Sequence, residues 1–298
     1  MEALKVGAVS RNYFNLPLWI AQHAGFFARE GLAVEIVLIE AIDEVTRRLA
    51  AGELQLALDV TENVILNAEQ GGRLEVLGGN VNRLPFSFIA RPHLTSWQDL
   101  RGARIGVSSI SAGSSSLVMR LLAAHGLRYP QDYTLVAVGP ILARWKMLQS
   151  GEIDAGLQGA PLNYIALDAG FVELGNPREQ FPDFQFTSLD ADADWAKKNE
   201  DTTIAFLRAW LAAHRWFYEN KAGASEIAVK ETGVERRYAE RAWDEYVRHE
   251  IFPRDGRASV AAVQALIEVS SLIRDLPGRS RSRAAQYINP TYLDRAHG

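Results

Sequence analysis

Residues 103–116 read Ala103-Arg104-Ile105-Gly106-Val107-Ser108-Ser109-Ile110-Ser111-Ala112-Gly113-Ser114-Ser115-Ser116. The first five residues have the short apolar character of a buried strand. A glycine then precedes Ser114 to His125, which reads as a helix stopped at Gly126. A strand that feeds a helix through such a loop leaves free backbone N–H groups and the positive end of the helix dipole facing the loop. In open α/β sheets ligands sit at this place, beyond the carboxyl ends of the strands.

The same unit repeats on both sides. Downstream, Thr134 to Val138, Asp154 to Gln158 and Phe171 to Leu174 read as strands. They alternate with helices over Leu142 to Gln149 and Leu162 to Asp168, stopped by Gly151 and Gly170. Upstream, an apolar run over Phe86 to Ala90 and a capping box at Ser96-Trp97-Gln98-Asp99 open this round. An earlier round has strands over Leu4 to Val9, Ala33 to Ile39, Leu54 to Leu58 and Leu74 to Leu77. Its helices run over Pro17 to Glu30, from a cap at Asp43, and over Asn63 to Glu69. From about Asp194 onward the pattern is helical only, with Ile204, Leu207, Leu211 and His214 on one face. Strands alternating with helices predict parallel pairing through crossovers, and two rounds predict two sheets: an α/β fold.

Composition narrows the function. The 298 residues are 48% hydrophobic and 23% charged, with a formal net charge of −4. That is ordinary globular composition with length for two cores. A nucleic-acid binder carries a basic excess, so no nucleic-acid partner is expected. The basic cluster Arg279, Arg281 and Arg283 reads as a solvated loop. The absence of cysteine removes disulfides, thiolate metal sites and Cys nucleophiles. No stretch reaches the roughly 18 consecutive apolar residues of a membrane span. Met1-Glu2-Ala3-Leu4-Lys5 runs straight into a strand. The expectation is therefore either a cytoplasmic protein, with Met1 the native start, or one from which a targeting segment was removed.

The loops after strands supply the candidate ligand contacts. The hydroxyl-rich loop contributes Ser109, Ser111, Gly113, Ser114 and Ser115, a neutral donor-rich cradle suited to a carboxylate, sulfonate or phosphate; a plain serine N-cap is its bland alternative. Ser10, Arg11, Asn12 and Tyr13 follow the first strand, Thr61 and Glu62 the third, Asn80 the fourth. Arg11 can pair with an anion or stand in solvent. Tyr13 can stack on a ligand or, like Phe14, fill the core. Arg144, in an early helical turn after Gly139-Pro140, can partner an anion, and Gln158 and Pro161 follow a strand end. Glu62 would repel an anion, so it is expected to accept from a ligand donor or to pair with Arg11 or Arg83.

Catalytic and metal signatures are missing. The six histidines form no HExxH pair, and no GxSxG elbow, phosphate loop or dinucleotide fingerprint occurs. Asp190, Asp192 and Asp194 imitate the start of a calcium loop, but Trp195 stands where glycine is needed. They read instead as acidic residues at a helix N-terminus. No metal and no cofactor is expected.

Several segments in order resemble one family. Leu16-Pro17-Leu18-Trp19-Ile20-Ala21-Gln22 with Gly25-Phe26-Phe27 and Glu30-Gly31-Leu32-Ala33-Val34, Ala51-Gly52-Glu53-Leu54-Gln55-Leu56-Ala57, Asp99-Leu100-Arg101-Gly102-Ala103-Arg104-Ile105-Gly106-Val107 and Ser150-Gly151-Glu152-Ile153-Asp154-Ala155 are together similar to the aliphatic sulfonate, nitrate and taurine binding proteins of ABC importers, grouped with binders of thiamine pyrimidine precursors. The resemblance implies the type II periplasmic binding protein fold, two α/β lobes joined by a two-segment hinge. Lobe I would be 1–86 plus 188–298, and lobe II the inserted 87–187, with the hinge near Pro85 to Phe88 and Phe184 to Ser188. It implies a monomeric, non-enzymatic protein that binds a small organic anion, sulfonate- or carboxylate-like, between the lobes and presents it to a membrane permease. Gln55 departs from the family's aspartate. The pyrimidine synthases and a sulfinate hydrolase of this fold rely on cysteine, absent here. The alternative is a cofactor-free lyase, decarboxylase or biosynthetic enzyme on the same fold, using Glu62; a ligand-sensing domain of a regulator ranks third.

Overall fold

The computed structural model describes residues 3–110, 113–274 and 281–298. Strand β1 (Leu4–Val9) lies between β2 (Val34–Ile39) and β3 (Leu56–Val60) and runs parallel to both. The crossovers carry helices α1 (Leu16–His23), α2 (Phe26–Arg29) and α3 (Ile42–Ala50). Helix α4 (Thr61–Glu69) leads to β4 (Leu74–Val81). The second unit contains β5 (Phe86–Ala90), β6 (Arg104–Val107), α5 (Ser114–Ala124), β7 (Thr134–Ala137), α6 (Ile141–Ser150), β8 (Ala155–Gly159), α7 (Leu162–Asp168) and β9 (Val172–Gly175). Strand β10 (Thr187–Asp192) follows, then α8 (Ala193–Lys198), α9 (Glu200–Glu219), α10 (Lys221–Thr232), α11 (Arg236–Arg248), α12 (Val260–Arg274) and a last helix, Thr291–His297.

The strands form two five-stranded sheets, ordered β2-β1-β3-β10-β4 and β7-β6-β8-β5-β9. Neither is wholly parallel, against the expectation from alternation alone. Strand β10 runs antiparallel between β3 and β4, and β5 runs antiparallel between β8 and β9. Each of these strands arrives from the other sheet, not through a helical crossover of its own sheet. It therefore enters at the carboxyl ends of its neighbours and runs against them.

Two local expectations change. The helix expected over 17–30 is two helices, because Gly25 takes φ 74° and turns the chain. Asp43 does not cap α3; Ala41 holds the N-cap position, and Asp43 lies in the first turn, where its charge still favours the dipole. The capping box at Ser96 and Asp99 is formed, around a single 3-10 turn at Trp97–Leu100. Asp192 caps α8 by accepting from the N–H groups of Asp194 and Trp195.

The first sheet buries two carboxyl groups. Asp59 on β3 accepts from the Val60 N–H at 2.7 Å and from the Thr46 hydroxyl. Asp190 on β10 accepts from the Ser188 hydroxyl at 2.7 Å, and its Oδ2 has no partner within the protein. Burial pushes the Asp59 pKa up to about 7 and raises that of Asp190 as well. Folded protein therefore holds a proton that the unfolded chain, titrating near 3.8, has released. The resulting stability is fully present below that ordinary value and is lost as pH rises towards the folded pKa. Urea denaturation at successive pH values should show wild type losing stability between about pH 4 and about pH 7. Asp59→Asn, an uncharged isostere, should lose less, the gap reaching up to about 4 kcal/mol. Identical slopes for the two proteins would refute this account.

Candidate functional site

The site begins with two glycines. On β6 and β8, Gly106 stands opposite Gly156. A Cβ on Gly156 would lie 2.9 Å from Arg144 Cδ, and one on Gly106 would lie 3.1 Å from Arg144 Cγ. The pair leaves a channel through which the Arg144 side chain passes from α6 across the sheet. Its guanidinium donates to the Leu157 carbonyl, and more weakly to the Ser114 hydroxyl at 3.4 Å and the Gly139 carbonyl at 3.5 Å. Arg144 is 1% exposed, and its Nε has no partner within the protein. Among the described residues no carboxylate comes within ion-pair distance of it. Burial alone lowers its pKa to about 10, so it remains charged at neutral pH.

Arg144 lines a cavity of about 40 Å³ between the two sheets. The body of the cavity is aromatic. Phe86 and Phe186 meet edge to face at 4.9 Å between centroids, and Phe14 packs edge-on against both, at 5.7 and 5.9 Å. Phe86 begins β5, and Phe186 immediately precedes β10. Both crossing strands thus deliver their first residues to the cavity, because an antiparallel strand starts where its neighbours end.

Two asparagines complete the wall. Asn80 donates to the Phe14 carbonyl at 3.1 Å and the Thr187 hydroxyl at 3.0 Å, and Asn12 donates to the Val9 carbonyl at 3.0 Å. The Oδ1 of each has no partner within the protein. Ser10 takes φ 50°; this left-handed turn at the end of β1 carries the chain into the segment that holds Asn12, Phe14 and Asn15 on the wall. One buried cation and two buried acceptors therefore face a single apolar space. Buried polar groups are normally paired, and an anionic group with an apolar body and an N–H or O–H donor would pair these three.

The hydroxyl-rich loop does something other than expected. The Gly113 N–H donates to Glu62 Oε2 at 2.9 Å, and the Ser116 hydroxyl donates to Glu62 Oε1 at 3.4 Å. Glu62 also accepts from Ser270 on α12 at 2.6 Å. Hence Glu62 pairs with neither Arg11 nor Arg83, and the chain's own carboxylate sits where an anionic ligand was expected. Gly113 is required here: its φ is 70°, and a Cβ would meet Ser108 Oγ at 2.6 Å and Ile42 at 3.1 Å. Ser114 bonds back to Ser108, its hydroxyl accepting from the Ser108 N–H at 2.9 Å. Ser115 donates to the Ile110 carbonyl at 3.2 Å, and Ser109 to Asp43 at 3.5 Å. Ser111 lies outside the described residues.

Other expected contacts lie away from the cavity. Arg11 is exposed and pairs with Glu231 at 2.7 Å, a solvent-side ion pair. Tyr13 is core: its ring packs on Tyr246 at 4.9 Å, because the turn after β1 points it under α11 while Phe14 points to the cavity. Thr61 donates to Ser188 at 3.0 Å behind the wall. Gln158 is fully buried on β8 opposite Ser87, and its polar side-chain atoms find no protein partner. Neither it nor Pro161, which precedes α7, lines the cavity. Asn12, Asn80 and Arg144 do line it, joined by Ser108 from the loop after β6 and by Phe86, Phe186 and Thr187, three residues at strand starts that a search limited to loops after strands passes over.

A family model described as NMT1/THI5 like matches residues 13–224. The chain is 25% identical over 215 residues to 4-amino-5-hydroxymethyl-2-methylpyrimidine phosphate synthase of Schizosaccharomyces pombe, covering 66% of this chain and 60% of that protein. It is 28% identical over 220 residues to the formylaminopyrimidine-binding protein of Halalkalibacterium halodurans, covering 71% and 65%. The chain thus spans three fifths to two thirds of the length of these relatives. Among solved structures, the alkanesulfonate-binding protein SsuA from Xanthomonas axonopodis pv. citri bound to MOPS superposes with a TM-score of 0.74 at 18% identity, over 99% of this chain and 97% of that one. That likeness assigns the type II periplasmic binding protein fold, the fold of ABC substrate-binding proteins, and with the family match spanning most of its length the chain belongs to the NMT1/THI5-like family.

Proposed function

We propose that this protein is the solute-binding component of an ABC importer and holds a small organic anion between two lobes. The supporting observation is Arg144: a buried guanidinium with no carboxylate in ion-pair distance among the described residues, on the wall of an aromatic cavity. Burying an unpaired charge is costly, and a bound carboxylate or sulfonate would supply the missing partner. The lobes would be residues 1–86 with 188–298, and 87–187, hinged near Pro85 to Phe88 and Phe184 to Ser188. Small-molecule sites typically measure roughly 300–1,000 Å³. The cavity of about 40 Å³ corresponds to a shut cleft that must part to admit solute. A solute that contacts Arg144 from one lobe and Asn80 from the other favours closure by its differential affinity for the closed form. A permease in the membrane would read that closed form.

The names of the synthase relatives favour a second reading, catalysis on the same fold. Against it, the described cavity wall carries no His, Lys, Tyr, Asp or Glu to act as acid or base. Glu62, the acid that the enzyme reading needs, is engaged at Gly113 and does not itself line that wall.

A thermal-shift panel of alkyl and aryl sulfonates, aromatic acids, nitrate and aminopyrimidines should identify an anion that stabilises the protein. At 100 times its Kd the gain should be about 2.7 kcal/mol. Arg144→Gln should weaken that anion by on the order of 10²-fold, as loss of a buried charge-assisted contact does. It should leave the solute-free protein no less stable, because the variant removes an uncompensated buried charge. Undiminished binding by Arg144→Gln overturns the anionic reading. Mass-spectrometric detection of a product from the bound solute would transfer the protein to the enzyme class.

A further inference from the structure

Glu62 joins parts of the molecule that belong to different sheets. It stands in the first turn of α4, beside the first sheet, and is almost wholly buried. Ser270 on α12 fixes its Oε1 at 2.6 Å, while its Oε2 reaches the Gly113 N–H at 2.9 Å, at the N-cap of the eleven-residue helix α5. The Ser116 hydroxyl, in the first turn of α5, adds a second contact from the far side. A carboxylate accepting from a backbone N–H at the positive end of a helix is a favourable charge-assisted arrangement. Close by, Ser109 donates to Asp43, and Ile42 from α3 abuts Gly113. This edge of the cleft is therefore shut by the chain's own groups.

We infer that Glu62 is an internal anion that latches the cleft. It occupies the amide cradle at the start of α5, holds the two halves together without solute, and leaves Arg144 as the seat for a solute's negative group. Glu62 is thereby a specificity-determining residue: a solute gains nothing from an anionic group placed at Gly113 unless it displaces Glu62. The specificity part rests on the solute-binding reading above; the latch does not. Because the apparent affinity scales with the closed fraction, loss of the latch should weaken solutes with a single negative group by one common factor, and should weaken less a solute whose second negative group reaches Gly113. Loss of Arg144 should discriminate by charge.

The absence of native cysteine permits a direct test in solute-free protein. Spin labels on Gln70→Cys, after α4, and Ala124→Cys, at the end of α5, report the separation of the two halves by double electron–electron resonance. With Glu62 intact a short-distance population should dominate. Glu62→Ala should lower the ratio of short to long distances at least tenfold. Millimolar formate or acetate should restore the short population in Glu62→Ala and leave the wild type unchanged. Glu62→Gln, which keeps the shape without the charge, should open the protein and resist rescue. Circular dichroism checks that each variant is folded, and Ser270→Ala, which leaves the carboxylate in place, should open the cleft partially if Glu62→Ala does not fold. An unchanged distance distribution in the folded variants overturns the latch. Opening of Glu62→Ala without rescue by either anion assigns Glu62 to packing and also overturns it. A working latch with no anionic solute in the thermal-shift panel would defeat the proposed function alone.

Discussion

A guanidinium buried with no counter-ion among the described residues is the constraint on which this site depends. The chain tolerates Arg144 because Gly106 and Gly156, opposite each other on adjacent strands, leave room for its stem. Carbonyls of Leu157 and Gly139 meet its head. Carbonyl dipoles soften the cost of burial but do not neutralise a charge. Close packing against the floor of the cleft would leave Arg144 Nε permanently without a partner. The residues facing it form a wall with a gap instead. The gap, the two unpaired asparagine oxygens and the three phenylalanines all lie on the wall that carries that charge.

The sheets bring the opposing wall within reach. Strands β5 and β10 each enter the sheet of the opposite unit and run against their neighbours, so their first residues emerge at the carboxyl ends of the parallel strands. Phe86 and Phe186 thus meet at the point where both sheets end. A wholly parallel pair of sheets would bring loops to this place, but not the starts of two strands. The same reversal couples the cavity to the connections between the halves: any change in the angle between the sheets must pass through residues adjoining Phe86 and Phe186.

Much of the alternation was legible because each helix of the two alternating rounds is followed by a glycine and most strands are short apolar runs. Strand β10 was not. Its sequence Thr187-Ser188-Leu189-Asp190-Ala191-Asp192 carries polar residues at four of six positions, yet everything from Thr187 to Ala191 is buried, with Ser188 and Asp190 held by hydroxyl contacts that no periodicity reveals. Arg144 could be singled out from its place after Gly139-Pro140, and Asn12 and Asn80 from their places after strands. Tyr13 and Phe14 could not be told apart, since adjacent residues in a turn diverge and only the fold says which one meets α11. The hydroxyl-rich loop was recognisable as an anion cradle. That the anion is Glu62 depends on a contact between residues fifty positions apart, brought together by the meeting of the two halves.

Two anion seats, one filled from within, give a consistent electrostatic picture. Were both the α5 amides and Arg144 open, an incoming anion would meet two strongly favourable positions and a divalent or elongated one would bridge them. With Glu62 on the amides, the positive end of α5 is balanced before any solute arrives, and a single cation remains. One charge-assisted contact and a modest aromatic enclosure favour a monovalent head on an apolar body, and they favour binding that can be reversed. Under the solute-binding proposal, moderate affinity suits a protein that must release what it holds. The carboxylate that first looked out of place in an anion site is therefore the group that keeps the site's attraction moderate.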